Sequence, residues 1–123
     1  MKRVLIVEDQ ADIRKLIRMT LEFEPFEIFE AADGAEGLRK ASEIAPDLML
    51  LDVMMPGELD GLQVCAQVRA NPALRDTRVV LLTARGQVKD RDAGQQAGAD
   101  DYLIKPFSPL QLIETIERLI PDV

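Results

Sequence analysis

At 123 residues with a formal net charge of −7, the chain has the length of one domain with a core of its own, and the wrong sign of charge for direct nucleic-acid binding, which depends on Lys and Arg displacing counterions from phosphates. It contains no histidine, which excludes an imidazole base, an imidazole metal ligand and a histidyl phosphoryl carrier within this chain. Its single cysteine, Cys65, excludes an internal disulfide and fits a reducing compartment.

The opening Met1-Lys2-Arg3 is followed by Val4-Leu5-Ile6-Val7 and then at once by Glu8-Asp9. Four apolar residues are too few for the core of a secretory signal, and no run reaches the roughly 18 apolar residues of a membrane span. A cytoplasmic protein without membrane contact is expected. Val4 to Val7 reads as a first strand, continuous rather than alternating, as suits a parallel strand covered on both faces. Ile13, Leu16, Ile17, Thr20 and Leu21 then recur at helical spacing and predict a first helix with one buried face.

Glu27-Ile28-Phe29-Glu30-Ala31 is a weaker strand, expected nearer an edge. Asp33 with Glu36 three residues later opens a second helix, and Leu48-Met49-Leu50-Leu51 is a third strand. Asp60 with Gln63 opens a third helix in the same capping pattern; on it Cys65, with Leu62 and Ala66, reads as a small core residue. Val79-Val80-Leu81-Leu82 is a fourth strand. The fourth helix, over Gln87 to Ala97, is poor in anchors: Val88, Ala93 and Ala97 stand among charges, glutamines and Gly94, so loose packing is expected. Asp101-Tyr102-Leu103-Ile104 is a second edge-like strand. In the last helix Ser108 is the cap, Pro109 lies in the first turn, Gln111 completes the box, and Leu112, Ile113, Ile116, Leu119 and Ile120 face inward. Five βα units in alternation predict an α/β domain over residues 1–123 with a doubly wound parallel sheet.

In such sheets ligands bind beyond the carboxyl ends of the strands. Here those ends carry Glu8-Asp9, Asp52, Thr83 and Lys105-Pro106, so three carboxylates, a hydroxyl and an amine converge on one edge. Three neighbouring carboxylates repel one another unless a cation joins them, and an oxygen-rich site suits Mg²⁺. A hydroxyl and an ammonium aimed at one point match the oxygens of a phosphoryl group, and an aspartate can be the nucleophile that forms an acyl phosphate. Asp52 is the central candidate, because the third strand lies in the middle of the expected sheet.

The ordered set Val7-Glu8-Asp9, Leu51-Asp52-Val53-Met54-Met55-Pro56, Asp60-Gly61, Leu82-Thr83-Ala84 and Gly98 through Phe107 (Gly-Ala-Asp-Asp-Tyr-Leu-Ile-Lys-Pro-Phe) resembles the receiver domain of two-component response regulators, chemotaxis-regulator-like, over essentially the whole chain. The resemblance implies the flavodoxin-like strand order 2-1-3-4-5, and a phosphoacceptor switch rather than an enzyme with a separate substrate, assisting its own phosphorylation and dephosphorylation. It implies that Asp52 accepts the phosphoryl group, that Asp9, Asp52 and the Met54 carbonyl bind Mg²⁺, and that Glu8 acts through metal-bound water. It further implies that Thr83 hydrogen-bonds the phosphoryl oxygen, that Lys105 pairs with it, and that Ala84 keeps the pocket open. Tyr102 would change rotamer with Thr83, and the Lys105–Pro106 bond would be cis.

The implied donor is a histidine kinase or histidine phosphotransfer protein, and the implied output is a face of fourth helix, fifth strand and fifth helix that binds a downstream protein or a second copy. Two features depart from the family. The loop Gly57-Glu58-Leu59-Asp60 is one residue longer than the common form. Gln111 and Thr115 stand where DNA-binding members often carry Glu and Arg for the charged dimer.

Taken singly, each element has a plainer reading. Glu8-Asp9 would be a solvated loop, Thr83 a strand end, Lys105-Pro106 a turn, Tyr102 edge-strand packing, and Met54 and Met55 fillers apart from the Met54 carbonyl. A flavin or nucleotide binder of this topology needs a Gly- or Ser/Thr-rich phosphate loop after the first strand, where this chain has Glu8-Asp9-Gln10. An aspartyl phosphohydrolase is expected to show Asp-x-Asp on its first strand, which is absent. A receiver-like scaffold that is never phosphorylated remains the third alternative. Because the sequence shows no output segment after Val123, the chain could act alone or as the receiver piece of a longer protein.

Overall fold

A computed structural model describes residues 1–55, 57, 59–84 and 88–121, with backbone alone for 88–91. Pro56, Glu58 of the lengthened loop, Gln87, and the side chain of Val88 therefore lie outside the described residues. The elements alternate as expected: β1 (Lys2–Val7), α1 (Ala11–Leu21), β2 (Phe26–Ala31), α2 (Gly34–Ile44), β3 (Leu48–Asp52), α3 (Gly61–Ala70), a 3-10 turn (Pro72–Leu74), β4 (Arg78–Ala84), α4 (Val88–Ala97), β5 (Asp101–Lys105) and α5 (Pro109–Leu119). All strand pairs are parallel, in the order β2-β1-β3-β4-β5. The two weaker strands are the edges and β3 is central.

Successive strand side chains point to opposite faces, and the core divides accordingly. Val4, Ile6, Leu48, Leu50, Val80 and Leu82 pack with Ile17 and Leu21 of α1 and Leu112 and Ile116 of α5. Leu5, Val7, Met49, Leu51, Val79 and Leu81 pack on the other face with Ala41 of α2 and Val64, Cys65 and Val68 of α3. All of β3 is buried, which is why its sequence is apolar without alternation until Asp52. Burying each Leu, Ile or Val contributes about 1.5–3 kcal/mol, so these two layers dominate stability.

The helix starts follow local chemistry. Asp60 and Ser108 accept from the backbone N–H groups of Gln63 and Gln111, whose side chains return the bond to the Asp60 and Ser108 N–H groups. Asp33 accepts from Glu36 N–H, but Glu36 accepts from Ala32 rather than from Asp33. Two expected core positions face water instead. Leu16 is 59% exposed: the buried stripe of α1 runs through Ile17 and Leu21, and Leu16 lies one residue round from it. Ala66 is likewise exposed beside buried Cys65. In α4, Gly94 is buried while Asp92, Gln95 and Gln96 are exposed, in keeping with few anchors.

Gly61 is where the fold reaches the functional edge. A Cβ there would stand 2.2 Å from the Asp52 carbonyl oxygen and 2.7 Å from Val53 Cα. The bare backbone lets α3 start directly on the end of β3, with Gly61 N–H donating to the Val53 carbonyl at 3.0 Å. Gly61→Ala is predicted to lower stability by about 3 kcal/mol, as overpacking against main chain that cannot yield. Gly57→Ala, where φ is +103° and an added Cβ would meet no atom of the described residues within 4 Å, should cost only the backbone strain, roughly 1 kcal/mol. Urea midpoints that coincide for the two variants would contradict this account.

Candidate functional site

Strand parity assembles the site. Glu8 follows Val4 and Ile6, Asp52 follows Leu48 and Leu50, and Lys105 follows Leu103, all on the α1–α5 side of the sheet. The side chains meet at the carboxyl edge: Lys105 Nζ lies 2.8 Å from Glu8 Oε1 and 3.2 Å from Asp52 Oδ1. Glu8 is wholly buried and Asp52 is 4% exposed. Asp9 joins them from the turn after β1. Each of the three carboxylates offers an oxygen within 4.8 Å of the others, and Glu8 Oε2 and Asp9 Oδ1 are buried with no hydrogen-bond partner among the described residues.

Two orphaned carboxylate oxygens in a crowded acidic corner are the arrangement a hard divalent cation completes, since such ions take oxygen donors and neutralise them. The donor set therefore fits Mg²⁺. The open space beside it is a cleft of about 230 Å³ lined by Asp9, Gln10, Asp52, Met54, Ala84 and Lys105. A larger groove of about 540 Å³ lies beside Met1, Lys2, Phe26 and Ile120, at the amino ends of the strands and away from this chemistry.

Charge is strained here. Burial pushes the Asp52 carboxyl up to about 6, helped by a hydrogen bond and repulsion from Glu8 and opposed by Lys105. Burial pulls the Lys105 ammonium down, but the Glu8 bond and the charges of Asp52 and Glu8 outweigh it and leave it raised. Lys105 is thus a firm cation with two anionic partners. Elsewhere, burial pushes the Cys65 thiol up to about 11, and its Sγ faces the Ala97 carbonyl at 3.6 Å; it is core, as read from the sequence.

The structure brings together Glu8, Asp9, Asp52 and Lys105, and adds Met54 and Ala84 to the cleft wall. The Met54 side chain is no filler, being 61% exposed at the rim, because the chain has already left the sheet; Met55 is buried as expected. Met54 N–H points toward Asp52 Oδ1 at 3.4 Å. The Lys105–Pro106 bond is cis. Thr83 is buried at the end of β4, with the parity of Leu81 and so on the opposite face from Asp52. Tyr102, half-buried, packs on that same opposite face, outside the cleft. Gln10, on the cleft wall, and Arg14, whose Nη1 donates to the Glu8 carbonyl at 2.7 Å, were not singled out from sequence. Only an arginine in the first turns of the helix after two carboxylates could have marked the latter.

An edge of this kind on a five-stranded 2-1-3-4-5 sheet defines a class, and comparison with known proteins agrees. The model of the response regulator receiver domain family matches residues 4–117, and the chain belongs to that family, whose members are signalling switches. The chain is 45% identical over 118 residues to the transcriptional regulatory protein ResD of Bacillus subtilis, covering 96% of this chain and 48% of that protein. Among solved structures it is similar to the chemotaxis response regulator CheY4 of Vibrio cholerae, at 33% identity and TM-score 0.90 over 98% of this chain and 99% of that one. It is also similar to the receiver domain of a sensor histidine kinase of Pseudomonas aeruginosa, solved with a magnesium ion coordinated in its active site cleft, at 31% identity and TM-score 0.87 over 96% of each chain. The chain spans about half the length of the curated relatives it matches.

The raised Asp52 carboxyl has a consequence for stability. The folded state holds this proton more tightly than the unfolded chain, so stability falls as pH rises from about 4 to about 6 and the loss is complete above that. At pH 7.5 the ionised Asp52 costs the metal-free fold on the order of 3 kcal/mol. Asp52→Asn is therefore expected to be more stable than wild type at pH 7.5 in EDTA, with the difference shrinking to nothing near pH 4. Urea denaturation across that range checks it, and a variant less stable at pH 7.5 would show that Asp52 is instead a net stabilising partner of Lys105.

Proposed function

We propose that this chain is a phosphoacceptor switch in which a carboxylate oxygen of Asp52 takes a phosphoryl group from a phosphohistidine. The observation that carries the reading is a buried aspartate at the end of the central strand, held 3.2 Å from a lysine and flanked by two carboxylates with oxygens orphaned among the described residues. The Asp52 oxygen attacks phosphorus in line, the bond from phosphorus to the donor histidine nitrogen breaks, and that nitrogen leaves and is reprotonated by solvent. The product is an acyl phosphate that water later hydrolyses at the same site. Lys105 offsets the phosphoryl charge, the Thr83 hydroxyl donates to a phosphoryl oxygen, and Ala84 leaves room where a larger side chain would fill the cleft.

Asp9, Asp52 and the Met54 carbonyl would hold Mg²⁺, with Glu8 acting through its water. The bound ion supplies the charge neutralisation that lets an anionic donor approach three carboxylates. The donor is a histidine kinase or a histidine phosphotransfer protein, in keeping with a likeness to a kinase's own receiver domain. On this reading the protein acts in the cytoplasm. No described helix is long and apolar enough to cross a membrane.

The output is read on the α4-β5-α5 face. Leu81 pairs in register with Tyr102 and Thr83 with Ile104, so Thr83 and Tyr102 lie on one face of adjacent strands. A Thr83 drawn toward the phosphoryl oxygen vacates space beside Tyr102, and the face repacks for a downstream protein or a second copy. The relatives are about twice this length and are transcriptional regulators; this chain's part would be the switch, with no direct contact to nucleic acid.

Acetyl phosphate with Mg²⁺ should add one phosphoryl group, labile to hydroxylamine, to wild type and none to Asp52→Asn; intact mass reads both, and equal labelling of the variant ends the assignment. With beryllofluoride and Mg²⁺ as phosphoryl mimic, amide NMR shifts should extend from the cleft through residues 88–104 and be truncated in Thr83→Ala. Shifts confined to the loops around Asp9, Asp52 and Lys105 would show that this face is not the readout.

A further inference from the structure

Arg14 lies early in α1, turned from the core stripe of Ile17 and Leu21 toward the β2 edge. Its Nη1 donates to the main-chain carbonyl of Glu8 at 2.7 Å, and its Nε donates to Glu30 Oε1 at 3.1 Å. The other oxygen of Glu30 accepts from Arg18 Nη1 at 2.7 Å, and Arg18 Nε reaches Glu22 at 3.2 Å. The guanidinium is thus held in a fixed plane by a carboxylate that is itself held from a second side. Arg14 and Glu30 side chains are 21% and 32% exposed.

The carbonyl that Arg14 grips belongs to the peptide linking Glu8 to Asp9, the two residues whose buried oxygens lack partners. The N–H of Glu8 is fixed as well, donating to the Ala31 carbonyl at 3.1 Å. Carboxylates forced together repel, and rotating this peptide would relieve them by swinging Asp9 into water. The Arg14 bond blocks that rotation. We propose that Arg14, anchored by Glu30, is a positioning residue that keeps the Glu8–Asp9 peptide oriented so that both carboxylates address one divalent cation. This rests on the metal assignment made above. Ion pairs that water still reaches contribute modestly to stability, whereas groups that orient metal ligands typically change metal affinity by about 10–100-fold. A positioning role and a merely structural one therefore separate.

Mg²⁺ titrations followed by amide shifts at Asp9 and Asp52, with urea denaturation alongside, test it on wild type, Arg14→Met, Arg14→Lys and Glu30→Gln. Arg14→Met keeps the stem and removes the donors; its Kd for Mg²⁺ should rise about 10-fold, and the Mg²⁺ needed for half-maximal labelling by acetyl phosphate should rise by the same factor. Arg14→Lys, still able to donate to the Glu8 carbonyl, should recover most of the affinity. Glu30→Gln, which loosens the anchor and leaves the donor, should fall between, and it carries the test should Arg14→Met not fold. A Kd within two-fold of wild type in Arg14→Met (or in Glu30→Gln if that variant must stand in), whatever the urea midpoint does, overturns the proposal and leaves the phosphoacceptor reading intact. Absence of Mg²⁺ binding by wild type overturns both.

Discussion

One ammonium between two buried carboxylates, with a third beside them, is the interaction around which the rest of this molecule is arranged. Lys105 at 2.8 Å from Glu8 and 3.2 Å from Asp52 offsets part of a repulsion that apolar burial would otherwise make prohibitive. It cannot offset all of it: Asp52 is still pushed up to about 6, and two carboxylate oxygens stay without partners among the described residues. The cluster persists because the strands that carry it are fixed by two apolar layers that do not depend on it. β3 is buried through its length, β1 from Val4 to Val7 and β4 from Val79 to Thr83, and the site's carboxylates sit at or just past the carboxyl ends of the apolar runs. The fold thus supports a corner that is unfavourable by itself and favourable once further positive charge arrives.

The alternation of strand side chains divides the labour between the two faces. Glu8, Asp52 and Lys105 share the parity of the α1–α5 layer, while Thr83 and Tyr102 share that of the layer beneath α3. Chemistry on one side comes nearest to packing on the other at the end of β4. Ala84 lines the cleft, and Thr83 immediately before it points toward the Tyr102 side. Gly61, tight against the Asp52 carbonyl, joins α3 to the same edge. On the reading proposed here, signal passes across the sheet rather than along it.

The sheet, its order of elements and the meeting of Glu8, Asp9, Asp52 and Lys105 were legible because each rests on a local rule. Continuous apolar runs mark buried parallel strands, Asp60–Gln63 and Ser108–Gln111 mark helix starts, and the polar residue ending each run must fall at the carboxyl edge. What was not legible depends on angles and on contacts across sequence distance. Leu16 fits the helical spacing but lies at the margin of the stripe, and a hydrophobic residue there faces water as readily as core. Met54 follows a strand whose end could not be fixed to the residue. Arg14 is one charged residue on a helix with several, and nothing in its neighbours reveals that the partner is the Glu8 carbonyl, or that Glu30, sixteen positions away, steadies it. The strand order itself came from family resemblance, since periodicity leaves the order of strands open.

The same unevenness decides where a switch can reside. Where apolar anchors are dense, as in β3 or along the inner faces of α1 and α5, a single new contact at the edge cannot shift the packing, because interiors at crystal-like density resist displacement. In α4 the described side chains offer one buried position, Gly94, whose absent Cβ would fall 2.5 Å from a Leu81 methyl. The helix approaches β4 closely there, and among its described side chains Ala97 packs on the apolar layer. Inverting a two-state equilibrium from 1:99 to 99:1 takes about 5.5 kcal/mol of differential interaction. On the proposed reading, a dianionic phosphoryl group beside Lys105 and a bound cation would act in a site of low dielectric and could supply energies of that order. On that reading the shortage of apolar anchors in α4, apparent in the sequence, would place the helix where an event at Asp52 could move it.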